Sequence, residues 1–501
     1  MGFEGHFVDT VYRLITENME DIYADRPGLR YRGADGKIVT VTFGDYAKDI
    51  RRCVGYLNEK LGGAQRRKVC ILGQNSYWYA VAILGLLAAD SIQIPLNQHK
   101  RWEELSYELD LVKPDVILWD GDNYPWRDQL LKEWGDRLLP LEECTRADPA
   151  ELHETANPYA LSMIMFTSGT TGRSKGVMLN QWSIMITGRD SICSWRAAVA
   201  RAKEMGCTEE TFRLSHFSTL PLFHIAAYAN LLHWPLYGAA TNLGDARSFY
   251  RDQADMPSES MAVVPSIAEM LHRDILRDRR DKIGPLWILM CSSAAFSRET
   301  LLDLSRRGIL IIQNYGMTET GSGGLVNEAQ DEKHIAAAGH TIPCMEYKLE
   351  NGELCLKGEC LMLGYYQNPE ATAEAIDAEG WLHTGDLARV DEDGYYTITG
   401  RKKNLVILDS GENVSPEELE GMLAGCGAIR ECVVKEKGKK ICALVFCLPE
   451  AQEEVREYIT RLNRTLPLYM RITAVEFSEG PLPRNAVGKL PHLKCILSRP
   501  G

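Results

Sequence analysis

The sequence predicts an α/β fold: a large N-terminal region of doubly wound, mostly parallel sheets plus a small β-subdomain, followed by an α+β C-terminal domain. Apolar strands alternate with helices over the first part of the chain, and right-handed crossovers make such a run a parallel sheet covered on both faces. After about residue 340 short strands with turns replace this alternation. At 501 residues the chain is also too long for one hydrophobic core.

The first predicted helix begins after Thr42, a hydroxyl side chain suited to an N-cap, and has Asp45 in its first turn. Apolar residues at 43, 46, 50, 54, 57 and 61 give it one buried stripe. The elements that follow are predicted as strands over Lys68–Leu72, Ile92–Leu96 and Val116–Trp119 and helices over Trp78–Ala88 and Trp102–Leu111. Later apolar strands are predicted over His216–Leu220, Met261–Val264, Leu286–Met290 and Ile309–Gln313.

The last part of the chain has a different pattern. Short strands are predicted over Tyr347–Leu349, Glu353–Leu356 and Tyr395–Thr399. From residue 404 a compact α+β unit follows, with a helix after Ser415-Pro416, a hairpin near 437–439 and a helix over Glu453–Leu462. Positive charges outnumber negative ones by three from residue 400 onward, although the whole chain has a net charge of −13. This shift favours a domain boundary near residue 400.

Composition excludes several classes of function. The negative net charge argues against nucleic acid as the main partner, because a phosphate backbone requires a basic surface. The cysteines form no C-x-x-C pair and the histidines no H-x-x-x-H pair, so a structural transition metal is not expected. No secretion signal is recognisable, and the longest apolar run, Tyr77–Ala89, is shorter than the roughly 20 residues that cross a bilayer. We therefore expect a cytoplasmic protein with no transmembrane segment.

One loop has the composition of a phosphate-binding site. After an apolar run it offers hydroxyls, glycines and a single lysine, namely Thr167, Ser168, Gly169, Thr170, Thr171, Gly172 and Lys175. Glycine lets backbone N–H groups approach an anion, hydroxyls add donors, and lysine adds a point charge. The spacing does not fit a P-loop, because Ser174 stands before the lysine. Taken alone, the loop is equally consistent with an ordinary solvated connection.

A second polar segment follows a predicted strand and runs from Asn314 to Gly321. Ligands gather at the carboxyl ends of strands in open α/β sheets, so this placement favours a site. Tyr315 is suited to stack on a flat base, Thr318 to donate to a phosphate oxygen, and Glu319 to bind Mg²⁺. The alternative is a simple turn with an exposed glutamate.

Three further signals are weak individually. Asp386 lies between glycine and leucine, where a carboxylate can accept both hydroxyls of a ribose, although such residues are more often turn caps. Arg401, Lys402 and Lys403 cluster where the composition shifts. Lys489 lies beside a glycine near the C-terminus, where a surface lysine is the default interpretation.

In their order and spacing these motifs resemble the adenylate-forming superfamily, which includes acyl-CoA synthetases, aryl-acid ligases, luciferases and the adenylation domains of nonribosomal peptide synthetases. The resemblance extends from Thr42 to Lys489. It implies that a carboxylate attacks the α-phosphorus of ATP to give an acyl-adenylate, and that a thiol then displaces AMP. The implied cofactors are ATP, Mg²⁺ and coenzyme A. The implied domains are 1–400, a hinge at 401–404 and a mobile lid over 405–501.

The resemblance also implies a role for each motif. The loop from Thr167 to Lys175 would hold the β- and γ-phosphates, Thr318 the α-phosphate, Glu319 the metal and Asp386 the ribose, with Arg401 nearby. Adenine would stack on Tyr315 beside Ser293, Ala294 and Ala295, with Asn314, Gly316 and Met317 also in the nucleotide site. Lys489 would bridge the carboxylate and α-phosphate, and rotation about Lys403 would replace it by the loop around Gly411. We place Lys489, Thr318, Glu319 and His224 among the catalytic residues.

Departures from the family pattern concern the substrate. Ser174 replaces a common proline, and Ser292-Ser293 stand where glycine is usual. His224 stands where amino-acid-activating relatives carry an aspartate for the ammonium group, which disfavours an α-amino acid. The residues that the resemblance places around the acyl group are mostly apolar, namely Phe223, His224, Ala294, Gly316, Met317 and Gly323. Residues 400–420 resemble the long-chain branch. We therefore expect a small-molecule acid such as a medium- or long-chain fatty acid, with CoA as acceptor. The alternatives are a ligase that loads the phosphopantetheine of a carrier protein, and a catalytically silent binding protein of the same fold.

Overall fold

The computed structural model describes residues 3–167, 173–292, 296–407, 413–437 and 440–483. The first strands are β1 (Pro27–Arg32), β2 (Ile38–Thr42), β3 (Lys68–Leu72), β4 (Ile92–Leu96), β5 (Val116–Trp119), β6 (Leu138–Pro140), β7 (Leu161–Thr167) and β8 (Lys175–Asn180). The helices among them are α1 (Val11–Arg13), which continues as a π-helix over Leu14–Ile22, α2 (Phe43–Leu61), α3 (Tyr77–Ala88), α4 (Trp102–Val112) and α5 (Arg127–Trp134).

The next part of the chain also alternates strands and helices. Its strands are β9 (Ser215–Ser218), β10 (Ala240–Leu243), β11 (Ser260–Val263), β12 (Ile288–Ser292), β13 (Leu310–Gly316), β14 (Gly324–Asn327) and β15 (His340–Thr341). Its helices are α6 (Gln181–Asp190), α7 (Ile192–Glu204), α8 (Ile225–His233), α9 (Phe249–Asp255), α10 (Pro265–Leu276) and α11 (Arg298–Arg306).

Shorter strands dominate the rest of the chain. They are β16 (Met345–Glu350), β17 (Glu353–Gly358), β18 (Gly364–Tyr365), β19 (Leu382–Val390), β20 (Tyr396–Arg401), β21 (Val406–Ile407), β22 (Asn413–Val414), β23 (Ile429–Lys437), β24 (Lys440–Cys447) and β25 (Ala474–Phe477). The helices here are α12 (Pro369–Ala375), α13 (Pro416–Leu423) and α14 (Gln452–Thr465).

Two large sheets form the body of the protein. One has seven strands in the order β18-β8-β7-β4-β3-β5-β6, and the other has nine in the order β15-β14-β13-β12-β11-β9-β10-β1-β2. Their central strands pair in parallel, while β7–β8, β8–β18, β13–β14, β14–β15 and β1–β2 are antiparallel. Helices pack on these sheets, so the predicted doubly wound, mostly parallel architecture is confirmed.

The small β-subdomain is the antiparallel sheet β16-β17-β19-β20. Beyond it, β23-β24-β25 and two helices enclose a hydrophobic core of their own, which includes Leu419, Val445 and Val455. The described residues include no helix that is long and apolar enough to cross a membrane.

Some predicted boundaries differ from the observed ones. Strand β13 was expected to end with its apolar run at Gln313, but it continues to Gly316. The reason is tertiary, because antiparallel β14 pairs with the last residues of β13, with Tyr315 opposite Leu325. Strand β12 likewise extends to Ser292, which lies opposite Asn314 of β13.

Candidate active site

The predicted phosphate-binding loop joins two antiparallel strands. Strand β7 ends at Thr167 and β8 begins at Lys175, and these two residues lie directly opposite each other. The loop residues Ser168, Gly169, Thr170, Thr171 and Gly172 lie outside the described residues. The structure thus places the only lysine of the motif at the mouth of a hairpin.

Lys175 and Glu319 meet around one tyrosine. The ammonium group of Lys175 lies 4.9 Å from the centre of the Tyr365 ring. The Tyr365 hydroxyl donates a 2.9 Å hydrogen bond to Glu319 Oε1. Burial, and then the Glu319 charge, raises the pKa of Tyr365, so its hydroxyl keeps its proton and remains a donor. Tyr365 belongs to the short strand β18, which pairs with β8. This pairing places Tyr365 between Lys175 of β8 and Glu319, which follows β13 of the other large sheet.

Glu319 is not the exposed turn residue of the alternative interpretation. Its exposed fraction is 8%. It lies in a 3₁₀ turn, Thr318–Thr320, just beyond the carboxyl end of β13, and its carbonyl accepts a hydrogen bond from Met362 N–H. The site therefore presents a buried carboxylate close to the phosphate-binding hairpin.

A second cluster surrounds Asp386. This residue lies on β19 directly opposite Arg401 on β20, and Arg401 Nε is 2.7 Å from Asp386 Oδ1. The Tyr315 hydroxyl donates a 2.7 Å hydrogen bond to the other oxygen, Oδ2. Burial, and then the Asp386 charge, raises the pKa of Tyr315 well above its ordinary value. The bond holds the end of the tyrosine side chain against the Asp386 carboxylate.

Gly316 follows Tyr315 where the backbone is crowded. A Cβ at this position would overlap the carbonyl oxygens of Ser322 and Gly323. Glycine is therefore required for the chain to turn from β13 into the segment that carries Met317 and Glu319.

The structure gives His224 a local role. It is the N-cap of α8, and its Nδ1 accepts a 3.3 Å hydrogen bond from Ala226 N–H. The side chain is half-buried. Its predicted place beside an acyl group stays a prediction.

Several predicted site residues cannot be placed. Ser293, Ala294, Ala295, Gly411 and Lys489 lie outside the described residues. Lys403 lies in the turn Lys402–Asn404 that directly follows β20. Sequence reasoning missed Tyr365, because a tyrosine in a short strand far along the chain carries no local signal of its contact with Lys175 and Glu319.

The site combines three features that suit an enzyme that binds a nucleotide. They are a lysine at the open end of a hairpin, a buried carboxylate at a strand end, and a second carboxylate paired with an arginine. Residues 20–366, more than half of the chain, match the family described as AMP-binding enzyme, and the chain belongs to that family. The match confirms the predicted membership of the adenylate-forming superfamily.

Sequence identity to individual relatives is low. The chain is 25% identical to a crotonobetaine/carnitine–CoA ligase of Salmonella arizonae, over 95% of this chain and 97% of that protein. It is 27% identical to a long-chain-fatty-acid–CoA ligase of Mycobacterium bovis, over 84% of this chain and 79% of that one. The solved O-succinylbenzoate–CoA synthetase of Bacillus subtilis, in complex with ATP and magnesium ion, has the same fold with a TM-score of 0.77 and 23% identity, covering 95% and 98% of the two chains.

Proposed function

We propose that this protein is an ATP-dependent carboxylic acid–CoA ligase that forms an acyl-adenylate and then a thioester. The names of its relatives agree with the predicted class, an AMP-forming acyl-CoA synthetase, and with ATP, Mg²⁺ and coenzyme A as cofactors. One observation carries the proposal: residues 315–319 at the end of β13 connect the Asp386–Arg401 cluster with the Lys175–Tyr365–Glu319 cluster.

The first half-reaction requires positive charge. A carboxylate must approach a triphosphate, and like charges about 4 Å apart repel by several kcal/mol at an effective dielectric near 20. Lys175 supplies a cation at the mouth of the hairpin, and Thr167 supplies a hydroxyl directly opposite. We assign both to the β- and γ-phosphates, together with the loop between them, and Thr318 to the α-phosphate.

The Asp386 cluster suits a nucleoside. Arg401 and the Tyr315 hydroxyl both favour the ionised carboxylate, which is the form that accepts hydrogen bonds from the two hydroxyls of a ribose. The Tyr315 ring, held at its hydroxyl by Asp386, offers a flat face for adenine beside Asn314, Gly316 and Met317.

The buried carboxylate suits Mg²⁺. Magnesium in proteins is usually held by one or two carboxylates together with phosphate oxygens, and Glu319 offers one carboxylate beside the proposed phosphate site. Tyr365 holds Oε1 and so orients the group. When bound, the ion would neutralise part of the phosphate charge.

The proposal includes a change of domain position between the two steps. We assign residues 1–400 to the nucleotide-binding domain, 401–404 to a hinge centred on Lys403, and 405–501 to a lid that brings Lys489 to the carboxylate and α-phosphate. Rotation would then replace Lys489 by the loop around Gly411 for the thioester step. The separate hydrophobic core around Leu419 and Val455 supports a lid that moves as one body.

For the acid we favour an apolar one, a medium- or long-chain fatty acid. His224 provides no fixed negative charge for an ammonium group, and Met317 is apolar. One relative is named a long-chain-fatty-acid–CoA ligase, which supports this choice, and another is named a crotonobetaine/carnitine–CoA ligase.

The test is pyrophosphate release from ATP over a panel of acids: acetate, octanoate, palmitate, benzoate and an α-amino acid. Octanoate or palmitate should give the highest kcat/KM, and CoA should then accept the acyl group. Thioester formation only on a phosphopantetheine carrier would replace CoA as the acceptor. No release with any acid would contradict the proposal and favour a silent binding protein.

A further inference from the structure

Helix α4 contacts the phosphate-binding hairpin through a buried carboxylate. Glu108 is completely buried, with 0% of its side chain exposed. Its Oε1 accepts a 2.5 Å hydrogen bond from Ser174 Oγ and also forms an ion pair with Lys100, which lies just before the helix. Ser174 is the residue that directly precedes Lys175. The Glu108–Lys100 pair is therefore connected to the residue that precedes strand β8.

Two further contacts connect the segment around Glu108 with both sides of the phosphate-binding loop. Lys100 Nζ lies 5.8 Å from the centre of the Phe166 ring, and Phe166 directly precedes Thr167 at the end of β7. The Arg173 guanidinium lies 5.2 Å from the centre of the Tyr107 ring, next to Glu108 on α4. One segment of the chain thus contacts residues immediately before and immediately after the loop.

A contribution to stability does not explain well why the Glu108–Lys100 ion pair is buried. Burial raises the pKa of Glu108, although Lys100 and the Ser174 hydroxyl oppose that effect. Within the part of the chain that the structure describes, Glu108 Oε2 is buried and has no hydrogen-bond partner. Replacing a buried ion pair by apolar side chains of similar volume is often neutral or stabilising. A role in positioning explains the carboxylate better.

We propose that Glu108, Lys100 and Ser174 are positioning residues that hold the two ends of the phosphate-binding loop and so direct Lys175 toward the phosphates of ATP. This inference rests on the proposed function. It also accounts for Ser174 in place of the common proline: a proline ring restricts the backbone covalently, whereas here a hydrogen bond to Glu108 restrains it. A proline at position 174 should therefore restrain the loop about as well as the serine that is bonded to Glu108.

The test compares two variants of the same residue. Ser174→Ala removes the hydroxyl and leaves the Glu108–Lys100 pair intact, so the protein should fold while the Kd for MgATP, measured by calorimetry, rises about tenfold, within the range for losing a hydrogen bond to a charged group. Ser174→Pro should remain within about twofold of wild type. In turnover assays the KM for ATP should follow the Kd, and the KM for the acid should not change.

A double-mutant cycle tests the path through Glu108. Glu108→Leu removes both the bond to Ser174 and the ion pair with Lys100, so it should weaken ATP binding at least as much as Ser174→Ala. The double variant should bind ATP no more weakly than Glu108→Leu alone, because the bond to Ser174 is already lost in that variant. Glu103→Gln, on the exposed face of α4, is the matched control. Unchanged ATP binding in Ser174→Ala, or additive effects in the cycle, would overturn the inference; if Glu108→Leu does not fold, the Ser174 pair alone decides. Tight ATP binding without pyrophosphate release would contradict only the proposed function.

Discussion

At the residue scale, Asp386 links three parts of the candidate site. It is 4% exposed, and its oxygens contact Arg401 and Tyr315. Asp386→Asn keeps the shape but removes the charge and one acceptor, so the KM for ATP should rise at least about tenfold, while the KM for CoA should stay the same. Pyrophosphate release at varied ATP measures the effect. Glu392→Gln, an exposed acidic residue in the turn after β19, should leave both constants unchanged.

Glu319 makes a different prediction. If its carboxylate binds magnesium, Glu319→Gln should lower pyrophosphate release by about 10²-fold at ordinary Mg²⁺ concentration, the scale of losing one charge-stabilising group, and should raise the Mg²⁺ concentration needed for half-maximal rate. A magnesium titration of each variant measures this. Glu332→Gln, an exposed substitution, is the control. An unchanged magnesium requirement would remove Glu319 from the metal site.

Lys175, Glu319 and Asp386 could be predicted as site candidates from sequence, because each belongs to a local pattern of glycine, hydroxyl and charge. The roles of Tyr365 and Glu108 could not be predicted from sequence. Tyr365 comes to the site only because β18 pairs with β8. Glu108 lies within a predicted helix, where a glutamate is ordinarily exposed, and only the folded chain shows that it is buried against Ser174.

At the scale of elements, local rules predicted the first part of the fold closely. Helix α2 begins after Thr42, whose hydroxyl accepts a 3.1 Å hydrogen bond from Asp45 N–H as the capping pattern requires. Strands β3, β4 and β5 have the predicted bounds, because their apolar runs are buried on both faces. The hairpin β1–β2 was not predicted, since its place in the sheet depends on parallel pairing of β1 with distant β10.

The connection between β20 and α13 depends on a glycine. Ser415, the N-cap of α13, donates a 2.6 Å hydrogen bond from its hydroxyl to the Thr399 carbonyl, and a Cβ on Gly400 would overlap that hydroxyl. Gly400→Ala should displace Ser415, lower the midpoint of thermal unfolding by several degrees, the scale of about 1 kcal/mol, and expose the junction to protease. Gly394→Ala is an informative comparison: nothing lies within 4 Å of its Cβ, although its φ of +84° adds backbone strain. It should leave the junction resistant to protease, and equal cleavage of both variants would contradict the interpretation.

At the scale of the whole molecule, the described residues after the proposed hinge have a core of their own, and hydrogen bonds connect them to the hinge and to the preceding sheet. Asn404 Nδ2 donates a 2.6 Å hydrogen bond to Glu417 Oε1, and Ser415 contacts Thr399. Contacts of this kind can be exchanged at small cost, because each hydrogen bond contributes only about 0.5–1.5 kcal/mol net. Such a junction suits a domain that changes position between two half-reactions.

The proposed alternation makes a prediction that separates the two half-reactions. Lys489→Ala should lower pyrophosphate release by at least about 10²-fold, because the forming bond joins two anions and loses a cation that neutralises them. The same variant should still convert supplied acyl-adenylate and CoA into thioester, since under the proposed alternation that step uses the loop around Gly411 in place of Lys489. Lys494→Ala, the next lysine along the chain, is the control and should retain both activities. An equal fall in both half-reactions of Lys489→Ala would mean that the lysine supports the fold of the lid and not the chemistry of adenylation.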